Sequence, residues 1–236
     1  MKPEFWYERW QIGQIGFHQR EVHASLGRHW RELSVLAVGQ VFVPLCGKSL
    51  DMLWLRDAGH AVVGVELSAI AMEAFCMENG IPARRRVLAE FDRYEAPNLN
   101  LLRGDFFALS PALLGPVSAV YDRAALISWV AELRAPYVEH LARLIAPGIE
   151  TLLVTVEYPQ EQMSGPPFSI DREEVRALYS RYFAIQELYR CDVLASEPRL
   201  RARGLNCLVE VCYRLRRSET YAYLNQMIDA DRRFTQ

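Results

Sequence analysis

The sequence predicts an α/β fold built on a mostly parallel sheet, and three observations lead to that prediction. Residues 41–67, VFVPLCGKSLDMLWLRDAGHAVVGVEL, have the pattern of a buried strand, a tight loop, an amphipathic helix and a second buried strand. Strands continue to alternate with helices up to residue 158, which is typical of right-handed parallel crossovers. Two late stretches of alternating character predict a closing hairpin. The seven predicted strands are 41–43, 61–65, 98–103, 117–121, 151–158, 184–193 and 206–215.

The elements around these strands follow from capping and turn residues. Ser68 is a suitable N-cap for a helix that stops at Asn79-Gly80, and Asp171 can cap the helix that follows the fifth strand. Polar residues 84–97 fit a short strand or a loop. The remaining predicted helices are 3–10, 21–33, a helix from about Ser49, 124–130 and 134–145.

The N-terminal segment, about residues 1–33, is aromatic and interrupted by glycines. Trp6 and Trp10 are four residues apart and share a helical face, Gly13 and Gly16 break that helix, and Phe17 begins the next helical stretch. One interpretation is that these aromatic side chains fill a groove on the sheet. The other is a lid that closes over a flat ligand.

Composition narrows the class of protein. The chain has 236 residues, of which 51% are hydrophobic, and this is enough to build one domain over residues 1–217, with 218–236 as a tail of unknown role. A net charge of −2 argues against a nucleic-acid partner. Five scattered cysteines indicate reduced thiols, and no stretch resembles a signal peptide or a membrane span. We therefore expect a cytoplasmic monomer with no membrane partner.

Several catalytic motifs are excluded. Gly47-Lys48-Ser49 resembles the end of a P-loop, but that motif needs a glycine at the position of Phe42. His18, His23 and His29 are spaced by five and six residues, which does not place them on one helical face as metal ligands, so no metal is expected. A G-x-S-x-G nucleophile elbow is also missing.

Unusual residues do follow the carboxyl ends of four predicted strands, where open α/β sheets bind ligands. Gly47 allows close backbone approach, and Glu66, nineteen residues later, can accept hydrogen bonds from ribose hydroxyls. Asp105 suits an exocyclic amine and Phe106 an adenine face. With no second glycine for a pyrophosphate, the pattern favours a nucleoside with an uncharged linker, of which S-adenosyl-L-methionine (SAM) is the commonest example.

The motifs PLCGKS, GDFFAL, YDRAAL, EYP and GPPFSI, together with FWYERWQIGQIGFHQ near the N-terminus, closely resemble those of the thiopurine S-methyltransferases, particularly the bacterial branch. The resemblance covers residues 3–215. It implies a class I SAM-dependent methyltransferase (Rossmann-like) fold, with seven mostly parallel strands and an antiparallel last strand. It also implies methyl transfer from SAM to the sulfur of thiopurines or other aromatic and heterocyclic thiols, and some bacterial members are associated with selenium or tellurium compounds.

The resemblance assigns roles residue by residue. Arg123 would lie beside the methionine part of SAM and the thiol, as the catalytic residue. Phe17 would pack on the acceptor ring, and Arg199 would face a polar edge of it, although the register of that loop leaves Arg203 as the alternative. The residues expected to bind SAM are Trp10, Leu45, Gly47, Glu66, Asp105, Phe106 and Arg123.

The expected chemistry is an in-line displacement, for which an enzyme mainly aligns the reactants and excludes water. Arg123 and Arg199 would favour the bound thiolate electrostatically. Two alternatives stay open on the sequence alone. These are an NAD-dependent oxidoreductase, which the strand–helix–strand pattern permits, and a non-catalytic SAM-binding protein.

Overall fold

The computed structural model describes residues 3–36, 38–88 and 90–219, so the predicted tail lies almost wholly outside the described residues. A nine-stranded sheet runs through the centre in the order β3-β4-β5-β2-β1-β6-β7-β9-β8. The strands are β1 (Gln40–Val43), β2 (Ala61–Glu66), β3 (Arg84–Val87), β4 (Asp92–Ala96), β5 (Leu99–Arg103), β6 (Val117–Asp122), β7 (Glu150–Glu157), β8 (Phe183–Asp192) and β9 (Val209–Arg217).

The α/β fold is confirmed, with nine strands rather than seven. Strands β5, β2, β1, β6 and β7 are parallel, and β9 is antiparallel to both of its neighbours, β7 and β8. The two additional strands, β3 and β4, come from residues 84–97 and extend the sheet as antiparallel strands beyond β5. All four residues of β3 are exposed. That stretch therefore lacks the apolar alternation that marks a strand in sequence.

The helices are α1 (Pro3–Gln11), α2 (Ala24–His29), α3 (Asp51–Asp57), α4 (Ala69–Glu78), α5 (Pro111–Leu114), α6 (Ala131–Leu144), α7 (Arg172–Tyr179) and α8 (Pro198–Ala202). Ser68 and Asp171 cap α4 and α7 as predicted. Two helix predictions were wrong in extent: residues 21–33 form only the short α2 and one 3₁₀ turn, and residues 124–130 contain a 3₁₀ turn. The helix predicted from about Ser49 is α3, which begins at Asp51. The stretch at Phe17 is not helical.

Two apolar layers cover the sheet because side chains alternate between its faces. Val41 and Val43 belong to the layer with α2, α3 and α4, whereas Phe42 belongs to the layer with α6 and α7. At the carboxyl ends of the parallel strands, polar and aromatic residues line an open cleft. In the described part of the chain, no helix is both long enough and apolar enough to cross a membrane.

Candidate active site

A cleft of about 240 Å³ opens at the carboxyl ends of β1, β2, β5, β6 and β7. One side, the strand-end half, consists of residues at or just after those strand ends. The other side, the loop half, consists of the N-terminal segment and of the connections after β7 and after β8. All nine predicted site residues line this one cleft: Trp10, Phe17, Leu45, Gly47, Glu66, Asp105, Phe106, Arg123 and Arg199.

The loop after β1 has an unusual backbone. Leu45 and Gly47 both have positive φ, 47° and 52°, a conformation that costs a non-glycine residue about 1 kcal/mol or more. A Cβ at Gly47 would lie 3.4 Å from the Trp10 indole, so this glycine also lets the aromatic ring lie directly on the loop. The loop is tied to the sheet by the Cys46 N–H, which donates to the Val65 carbonyl at 2.9 Å.

Glu66 forms the buried floor beside that loop. Its carboxylate accepts hydrogen bonds from the Gly47 N–H at 2.9 Å and the Ser68 N–H at 2.8 Å, and the residue is 8% exposed. Burial raises the pKa of Glu66, while these backbone donors act in the opposite direction. Its backbone carbonyl accepts from the Gly104 N–H at 2.9 Å, which joins the ends of β2 and β5.

Asp105 and Phe106 occupy different environments. Asp105 is exposed and its carboxylate accepts from the Phe107 N–H at 2.9 Å, so it caps the turn after β5. Phe106 is only 4% exposed, and its ring lies against Tyr137 with a centroid distance of 5.0 Å. The side chain of Phe106 is therefore mostly core, and only a narrow edge of it reaches the cleft.

Arg123 follows β6 and is 15% exposed in its side chain. Its Nε lies 3.6 Å from Asp51 Oδ2. The preceding residue, Asp122, is outside the cleft: its carboxylate accepts from the Tyr137 hydroxyl at 2.6 Å and caps the next turn through the Ala125 and Leu126 N–H groups. Desolvation raises the pKa of Asp122 to about 6.

The N-terminal segment closes one side of the loop half. Phe17 lies edge-to-face on Trp6 and Trp10, with centroid distances of 5.6 and 5.5 Å, and is itself 38% exposed. Arg199 Nη1 donates to the Gly16 carbonyl at 3.5 Å, which brings α8 to this segment. Arg203 Nη1 instead donates to the Pro166 carbonyl at 3.1 Å and does not line the cleft. The structure therefore places Arg199, rather than Arg203, at the cleft.

Several polar residues of the cleft, including His18 and His23, were given no site role from the sequence. His23 caps α2, since its Nδ1 accepts from the Ser25 N–H at 3.3 Å. Its Nε2 also lies 3.2 Å from Glu210 in β9, within the cleft. The histidines were considered only as possible metal ligands, and site residues were sought at the strand ends, whereas this histidine comes from the N-terminal segment. Asp51, Tyr121 and Glu210 also line the cleft without a role predicted from the sequence.

No side-chain cluster in the described ranges brings together three histidine, cysteine or acidic groups in a way that could hold a metal ion. The strand order and the carboxyl-edge cleft define a Rossmann-like fold of the SAM-dependent methyltransferase class. Solved structures share it. One is a SAM-dependent methyltransferase from Anabaena variabilis, with TM-score 0.60 and 13% identity over 91% of this chain and 94% of that one. Another is the Burkholderia thailandensis 1,6-didemethyltoxoflavin-N1-methyltransferase, with TM-score 0.58 and 14% identity over 92% and 87%.

The family model for thiopurine S-methyltransferase matches residues 1–218. A thiopurine S-methyltransferase from Nitrosospira multiformis is 48% identical over 215 residues, which is 91% of this chain and 98% of the relative. The chain belongs to the thiopurine S-methyltransferase family, and it is a SAM-dependent methyltransferase. This confirms the resemblance seen in the motifs and does not favour the oxidoreductase alternative.

Proposed function

We propose that the protein transfers the methyl group of SAM to the sulfur of thiopurines or other aromatic and heterocyclic thiols and releases S-adenosyl-L-homocysteine. Selenium and tellurium compounds are further acceptors to test. The observation that carries the proposal is the convergence of all nine predicted residues on one cleft. That cleft combines a nucleoside-type floor with an aromatic wall and two arginines.

The strand-end half suits the methyl donor. The loop of Leu45 and Gly47 lines the cleft, and we assign the methionine end of SAM to it. Glu66 has a fixed carboxylate at the position where this fold class binds ribose hydroxyls. Asp105 is exposed and can accept from an exocyclic amine. Bound there, SAM supplies a methyl group already activated by its sulfonium.

The loop half suits a flat acceptor. Phe17 offers an exposed aromatic ring that Trp6 and Trp10 support from behind. Pro166 and Pro167 line the same region, and Arg199 stands at its rim. An aromatic heterocycle can stack in such a space, while the arginine meets its polar edge.

The chain's own residues then have three tasks: to align the reactants, to exclude water and to favour the thiolate. Arg123 is the cation placed for the third task, because a positive charge near a thiol lowers the pKa of that thiol. His23 is poorly suited to act as a base, since both ring nitrogens are engaged by Ser25 and Glu210. Partial burial and then Lys48 lower the pKa of His18, which also lines the cleft.

The decisive experiment is a SAM-dependent methylation screen read by mass spectrometry. Thiopurines, aryl thiols, selenite and tellurite are offered separately with purified protein. Methylated sulfur products are expected from the heterocyclic and aryl thiols. If SAM binds but no thiol gains a methyl group, the proposed acceptor class is wrong.

A thermal-shift comparison tests the donor half independently of the acceptor. SAM and S-adenosyl-L-homocysteine should raise the melting temperature, because each binds the folded state only, and NAD should not. A shift with NAD alone would contradict the assignment of the strand-end half.

A further inference from the structure

Asp51 is the first residue of α3, where an acid would ordinarily face the N–H groups of its own helix, but its carboxylate is used differently. Among the described residues, the hydrogen bonds to this carboxylate come from the His23 N–H at 2.8 Å and the Tyr121 hydroxyl at 3.1 Å. Neither donor belongs to α3. The residue is 1% exposed, and the side chain lines the cleft. A buried carboxylate turned away from its own helix needs a reason other than capping.

Arg123 supplies that reason. Its Nε is 3.6 Å from Asp51 Oδ2, and both side chains are largely shielded from water. Tyr121, two residues earlier at the end of β6, donates to the same Oδ2. Burial raises the pKa of the Tyr121 hydroxyl well above its ordinary value, so it stays protonated and remains a donor. Oδ2 therefore faces one hydroxyl and one guanidinium from the same strand end.

The other oxygen, Oδ1, holds the N-terminal segment through the His23 N–H. His23 and Ser25 make a second attachment, to the Glu210 carboxylate in β9. The segment that presents Phe17 to the loop half is therefore fixed, six residues farther along the chain, to the carboxylate that faces Arg123.

We propose that Asp51 is the positioning residue for Arg123 in methyl transfer to the thiol, an inference that rests on the proposed function. By engaging the Nε side of the guanidinium, Asp51 leaves the two Nη groups for the acceptor and fixes the plane in which they lie. A carboxylate at this point also fixes Arg123 relative to the N-terminal segment. Small displacements of such a group reduce rates strongly.

The test is a double-mutant cycle on Asp51→Asn and Arg123→Ala, with kcat/KM for a thiopurine measured at saturating SAM. The Asp51→Asn variant keeps the size of the side chain and an oxygen acceptor but loses the charge that holds the guanidinium. Its kcat/KM should fall by roughly 10- to 100-fold. In the Arg123→Ala background the same change should cost less than about twofold, because there is nothing left to position.

The matched control is Asp57→Asn, an exposed acid at the other end of α3, which should leave kcat/KM unchanged in both backgrounds. Additive losses from Asp51→Asn and Arg123→Ala would overturn the inference, since a general structural role does not depend on Arg123. If Asp51→Asn fails to fold, Tyr121→Phe takes its place in the cycle. Tyr121→Phe removes the hydroxyl that donates to the same oxygen of Asp51. The fall in kcat/KM that it causes must also disappear when Arg123 is absent. If the wild-type protein methylates no thiol, the proposed function itself is wrong. If the wild-type protein is active but the losses in kcat/KM are additive, only the proposed role of Asp51 is wrong.

Discussion

The two halves of the cleft are built in different ways. The strand-end half consists of backbone and buried groups: Glu66 is 8% exposed and is held by two backbone N–H groups. The loop half consists of side chains on connections, with Phe17 at 38% exposed and Arg199 reaching the Gly16 carbonyl at 3.5 Å. A rigid floor suits a donor that is the same in every turnover. A wall of loops suits acceptors that differ in shape, because loops change with little cost to the sheet.

The largest expected effect is on Arg123, a residue of the strand-end half that is proposed to act on the acceptor. Arg123→Ala should lower kcat/KM for a thiopurine roughly 100-fold, since it removes a preorganised cation from a shielded site. The pH at which the rate reaches half its maximum should rise, because the bound thiol loses the charge that lowers its pKa. A pH–rate profile measures both quantities. An unchanged rate and midpoint would exclude this role.

The second largest effect is expected from a change in the donor-binding part of the strand-end half. Glu66→Ala should weaken SAM binding by roughly 10- to 100-fold, the range for a hydrogen bond to a charged group, as measured by calorimetry. It also leaves the Gly47 and Ser68 N–H groups without their acceptor. Glu66→Gln is the control that keeps one oxygen in place, and it should lose less. Equal SAM affinity in all three proteins would refute the ribose assignment.

The loop half should respond more weakly and through the acceptor. Arg199→Ala should raise the KM for a thiopurine by several-fold without changing SAM affinity, because Arg199 lines the cleft and Arg203 does not. Arg203→Ala is the matched control, on the same connection, and should change KM less. A larger effect of Arg203→Ala on KM would show that Arg203, rather than Arg199, faces the acceptor.

The smallest effect on activity is expected at Asp122, which adjoins Arg123 but points into the core. Its pKa of about 6 in the folded protein is above the ordinary value of 3.8, so the folded state binds the proton more tightly than the unfolded chain does. The stability that this group contributes is fully present below pH 3.8 and is lost as pH rises to about 6, by roughly 3 kcal/mol. In urea titrations between pH 4 and 7, Asp122→Asn should lack this part of the decrease in unfolding free energy with pH. If the unfolding free energy changes equally with pH in both proteins, the pKa of Asp122 is not raised in the folded state.

The same contrast explains what the sequence could and could not predict. Glu66 was predictable because it ends an apolar strand nineteen residues after a glycine loop, and this local pattern is enough to place it. Glu210 was not, because a glutamate on an alternating strand is indistinguishable from a solvent-facing one until β9 is known to lie beside β7. Asp51 was hidden in a similar way, since an acid at the start of a helix is expected to be a cap.

The N-terminal segment was the hardest to place. Its aromatic residues suggested a lid or a groove filler. In the structure Trp10 is buried at 6%, as a groove filler would be, while Phe17 stays exposed. Whether it opens and closes during turnover remains a prediction. The hairpin of β3 and β4 was predicted only as a short strand or a loop, because its exposed, charged outer strand has no apolar pattern to detect.

The attachment of Ser25 and His23 to Glu210 also orders events during synthesis. Ser25 and Glu210 are separated by 185 positions, and Glu210 belongs to β9, which lies between β7 and β8 but follows both of them in the chain. A growing chain therefore has all of the strand-end half, and the Asp51 contact to His23, before the second attachment of the N-terminal segment has been made. At about 5–20 residues per second, that segment waits roughly 10 to 40 seconds for this second attachment. The part of the cleft that is translated first therefore receives its full set of contacts only near the end of synthesis.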